Sequence, residues 1–68
     1  MNQETRIALL LMVELVTAIR ANDPDTFKGW LSGGIQDLGK PAVTEMMTDW
    51  ITPLLTQEYK DRLVAWHL

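Results

Sequence analysis

The sequence predicts an all-α protein, a compact single domain of four main helices, and three observations carry that prediction. Residues Ile7 to Ile19 read IALLLMVELVTAI, an apolar run that follows helical spacing and nowhere alternates with the period of two expected of a half-buried strand. Pro24, Pro41 and Pro53 each stand where a new helix can start, because the first helical residue has no use for its N–H. Between and after them, the large apolar residues recur three and four apart.

The first helix is expected over about 3-21. Asn2 is its N-cap, and Glu4 suits the positive end of the dipole. On a wheel of roughly 100° per residue its apolar side chains sweep an arc of roughly 200°, about twice what a helix covering one core needs. Leu10 and Val13 extend the grease into the polar side held by Gln3, Arg6, Glu14, Thr17 and Arg20. A membrane span is not expected: the uncharged part falls short of the roughly 20 residues a bilayer requires, and Glu14 interrupts it. A secretory signal is not expected either, since MNQETR balances one acid against one base and no small-residue cleavage site follows the run.

Asn22-Asp23-Pro24-Asp25 is the clearest boundary, a turn followed by a cap, a proline and an acid in the next first turn. The second helix is expected over 24-31, with Phe27, Trp30 and Leu31 on one face. Ser32-Gly33-Gly34 suggests that it stops, because two helical glycines cost about 1 kcal/mol each relative to alanine. A Gly-rich bend is therefore expected at 32-40, permitting positive φ or a close approach of backbones, with Gly39 as a cap.

The third helix is expected over 41-51, with Val43, Met46, Met47, Trp50 and Ile51 on one stripe that Leu54 continues, and with Trp50 in the core. Leu55, Tyr59, Leu63 and Trp66 lie on a different arc, so the stripe rotates at Pro53. Two helices meeting at Pro53, or one kinked there, explain the rotation, with Thr52 as cap and a fourth helix over 53-66.

With 68 residues and no cysteine, stability must come from packing alone or packing shared with another chain. The lack of cysteine suits a cytoplasmic address. The net charge of −3 and six dispersed basic residues give no footprint for a phosphate backbone.

No motif carries catalysis, a cofactor or a metal. Gly34-Ile35-Gln36-Asp37-Leu38-Gly39-Lys40 begins like a phosphate loop, but Pro41 replaces the magnesium-binding hydroxyl and no strand precedes it. Residues 35-51 have the cadence of a DNA-binding helix-turn-helix, the alternative reading. Its reading helix would offer Thr44, Glu45, Thr48 and Asp49 to phosphates, with only Lys40 offsetting the acids. His67, the single histidine, is penultimate, Ser32 lacks a nucleophile-elbow setting, and Glu45 with Asp49 lacks further ligands. Neither a catalytic residue nor a cofactor, metal, small-molecule substrate, nucleic acid or membrane is expected.

Three short helices cover about half the circumference of the first, and its apolar arc exceeds half. The remainder is expected to meet a second copy of the chain, as a homodimer, or a larger protein partner. Leu9, Leu10, Met12, Val13 and Val16 are the expected interface residues, with Trp66 as a further aromatic anchor. The sequence thus points to a small non-enzymatic interaction module: an adaptor, inhibitor or regulatory subunit.

Overall fold

A computed structural model describes residues 2–67, and all four main helices are present. The first, α1, spans Gln3–Arg20. Asn2 caps it, Oδ1 accepting the Thr5 N–H at 2.7 Å. Its other end closes as a Schellman turn: the Asp23 N–H donates to the Ala18 carbonyl at 2.9 Å and the Asn22 N–H to the Ile19 carbonyl at 3.1 Å. Asn22 sits at φ 56°, a left-handed conformation that asparagine tolerates better than most residues. Asp23 then caps α2 (Pro24–Leu38), accepting the Thr26 N–H at 3.2 Å and the Thr26 hydroxyl at 2.7 Å.

The expected bend at 32-40 does not form; α2 continues through Ser32, Gly33 and Gly34 to Leu38. The reason is tertiary. Gly34 is buried, and a Cβ placed there would overlap Leu11 Cδ2 and stand 3.2 Å from Cδ1. The missing side chain lets α2 close on α1, and burial of Leu11 offsets the weak helix propensity. Only Gly39, at φ 89°, uses glycine's backbone freedom, and it ends α2 before α3 (Lys40–Glu45).

The second correction lies around Pro53. Beyond α3 the chain widens into a π-helical turn, Met46–Ile51, tightens into a 3-10 turn, Thr52–Leu54, and becomes extended at Leu55 (φ −88°, ψ 141°). Proline has no N–H to donate, and its ring would strike the carbonyl four residues back, that of Asp49. Widening the preceding turn relieves that clash. Thr52 secures it, both its N–H and its Oγ1 donating to the Met47 carbonyl five residues back, the hydroxyl at 2.6 Å. Thr52 is therefore not the cap of the last helix. Thr56 is, accepting the Tyr59 N–H at 3.4 Å, so α4 begins at Gln57 and runs to Ala65.

The extra residue in the π turn changes which side chains face inward. Val43 and Met46 are buried, and Ile51 and Leu55 follow as the next buried pair. Trp50, expected in the core, is 60% exposed and Leu54 is 68% exposed. The core joins those four residues to Leu11, Leu15, Ala18 and Ile19 of α1 and Phe27 of α2. Tyr59, Leu63 and Trp66 pack against it from the C-terminal side.

Arg62 ties α4 to the end of α1. Its Nη1 donates to the Ile19 carbonyl at 2.7 Å and to the Arg20 carbonyl at 3.3 Å, meeting the negative end of the α1 dipole. The same guanidinium lies 5.4 Å from the Tyr59 ring and 3.8 Å from Glu58.

Gly34→Ala should destabilise the fold by about 1–2 kcal/mol in urea unfolding, because overpacking Leu11 outweighs the gain in helix propensity. Gly33 has nothing within 4 Å of an added Cβ, so Gly33→Ala should stabilise by about 0.5–1 kcal/mol. Equal effects at the two glycines would contradict the close approach. Thr26 holds the Asp23 carboxyl below its ordinary value of 3.8 through the hydroxyl bond and then the backbone bond. Ionised Asp23 therefore favours the fold above that value, and the contribution fades as pH falls through the lower folded pKa. The thermal midpoint of Asp23→Ala should lie below that of the wild type at neutral pH, and the gap should narrow in acid.

Candidate surface on the first helix

The outer face of α1 holds the best candidate site. Leu9 is 45% exposed, Leu10 52% and Val13 60%, three large apolar side chains that the core does not use. Met12 and Val16, expected beside them, are half-buried and pack against the core. Trp66 is not brought to this surface. Its ring packs tilted against Phe27 at 5.5 Å and 56°, and its Nε1–H donates to Asn22 Oδ1 at 3.2 Å, just beyond the C-terminal end of α1. It closes the core over the turn between α1 and α2.

An open groove of about 540 Å³ runs beside Leu9. One wall is the N-terminal half of α1, with Glu4, Thr5, Ala8, Leu9 and Met12, and the other comes from Leu38, Ala42, Glu45, Met46 and Trp50. Trp50 is exposed because the wider π turn rotates it off the inward stripe and leaves Ile51 there. The groove is thus a product of the backbone irregularity before Pro53. Its lining is mostly apolar, and among the described residues its charged members are Glu4 and Glu45. Periodicity at 3.6 residues per turn assigns Trp50 to the core and hides this groove; the one sequence signal for it is the clash that Pro53 imposes on the turn before it.

A second, smaller groove of about 380 Å³ is lined, among the described residues, by the apolar Phe27, Leu31, Met47, Leu63 and Val64. The residues weighed for a DNA-reading helix are split between elements: Thr44 and Glu45 belong to the six-residue α3, Thr48 and Asp49 to the π turn, and all four are exposed. Among the described residues no helix is long and apolar enough to cross a membrane.

Comparison of the chain with protein-family models, curated proteins and solved structures gives no match in any of the three.

Proposed function

We propose that the chain is a small non-enzymatic protein–protein interaction module, an adaptor, inhibitor or regulatory subunit, that self-associates through the outer face of α1. The observation that supports this reading is the exposure of Leu9, Leu10 and Val13 beside a core already complete without them. The nine core residues are closed off from solvent, and among the described residues no buried polar side-chain atom lacks a partner. Three apolar side chains on one helix face are surplus to folding, and because each is about half exposed, covering it regains roughly half of the about 1.5–3 kcal/mol that full burial is worth. Trp50, across the groove, enlarges the patch with an aromatic side chain of the kind that anchors interfaces.

Light scattering across protein concentration tests the reading. The wild-type mass should rise from 7.8 kDa toward about twice that value, whereas the Leu10→Gln, Val13→Gln double variant should remain at the monomer mass with its helical circular dichroism intact. A wild type that stays monomeric at millimolar concentration, or a double variant that loses its fold, would contradict it.

A further inference from the structure

We infer that α4 is a hinged cover, which swings as a unit about Leu55 and Thr56 and uncovers Phe27 while α1, α2 and the π turn stay folded. The inference is independent of the self-association proposed above and rests on how α4 is attached. Leu55 (φ −88°, ψ 141°) and Thr56 (φ −72°, ψ 166°) are extended, so two non-helical residues separate α4 from the 3-10 turn before it. Leu55 is buried and stays with the core, whereas Thr56 caps α4 and moves with it. Among the described residues no backbone hydrogen bond links α4 to the rest of the chain, so a rotation at this pair breaks none.

Side chains alone hold α4 down, and they do so incompletely. No residue of α4 is buried; Tyr59, Leu63 and, just beyond it, Trp66 are half-buried against the core. The polar ties run from Arg62 to the Ile19 and Arg20 carbonyls and from Trp66 to Asn22, and water satisfies those acceptors once α4 leaves. The smaller groove lies along the same seam, with Leu63 and Val64 on the α4 side and Phe27, Leu31 and Met47 on the other, so apolar contact there is unfilled. The seam between α1 and α2 is the opposite case, with Leu11 buried in the space that a side chain at Gly34 would take. A segment with few buried contacts opens at a lower free energy than the whole fold. Opening joins the Phe27 ring, fully enclosed when α4 is closed, to Leu31 and Met47 as one apolar surface that the closed form withholds.

Native-state hydrogen exchange on the full chain, under conditions where exchange reports the opening equilibrium, tests the cover. A nine-residue helix is not stable alone in water, so the α4 amides exchange whenever it opens. After correction for intrinsic rates, the amides of Asp61 to Ala65 should share one protection factor, at least about tenfold below those of Leu11 and Leu15. Gly33→Ala, which strengthens α2, should slow exchange at Leu11 and Leu15 by about two- to fivefold and leave α4 unchanged, because α2 is folded in both the closed and the open forms. Arg62→Gln should speed α4 exchange about tenfold, and Leu11 and Leu15 by the same factor, because it weakens only the closed form. Amides of α4 as slow as those of α1, or slowed with them by Gly33→Ala, would overturn the inference by showing one cooperative unit. Protection that declines steadily toward Ala65, or that ignores Arg62→Gln, would overturn it in favour of simple end fraying.

Discussion

Pro53 is the constraint from which most of this structure follows. A proline within a continuing helix removes one backbone bond and drives its ring toward the carbonyl four residues earlier. The chain answers by opening the turn over Met46–Ile51, and Thr52 holds the opened turn by donating twice to the Met47 carbonyl. One additional residue in a turn moves every later side chain round the axis. Ile51 and Leu55 reach the core, Trp50 and Leu54 leave it, and the groove beside α1 acquires its aromatic wall. A local steric conflict thus decides both what the core contains and what the surface offers.

Gly34 plays the matching part on the other side of α1. It admits Leu11 where a side chain would stand, which draws α2 against α1 along its length. Between that contact and the Arg62 bonds to the Ile19 and Arg20 carbonyls, α1 is fixed on its inner face and at its C-terminal end. Its outer face at Leu9, Leu10 and Val13 is left to solvent. The helix with the most grease is therefore both the centre of the core and the bearer of an exposed apolar face, and the proposed association uses the part that folding leaves over.

What was legible in the sequence was local chemistry. Asn2, Asp23 and Pro24 set helix starts through bonds within three residues, and the structure has those bonds. The surplus on α1 was legible because an arc wider than one core requires is a geometric fact about the pattern, although Val16 is half-buried against the core, Met12 lies between core and groove, and Trp66 packs against Phe27 away from this face. What was not legible depended on distant contacts or on departures from the regular period. The propensity of Gly33 and Gly34 argues against a helix unless Leu11, more than twenty residues earlier, is known to fill the space. Trp50 leaves the stripe it was expected to share with Ile51 only when the turn is wider than 3.6 residues, so the groove could not be read from periodicity.

The register of that turn is the central claim, and hydrogen-bond scalar couplings across the backbone of the labelled protein test it directly. The Thr52 amide should couple to the Met47 carbonyl, five residues back, in keeping with a π turn that sends Ile51 inward and Trp50 outward. A coupling from Thr52 to the Thr48 carbonyl would mean an ordinary α turn, and would contradict the account of the core and of the groove together.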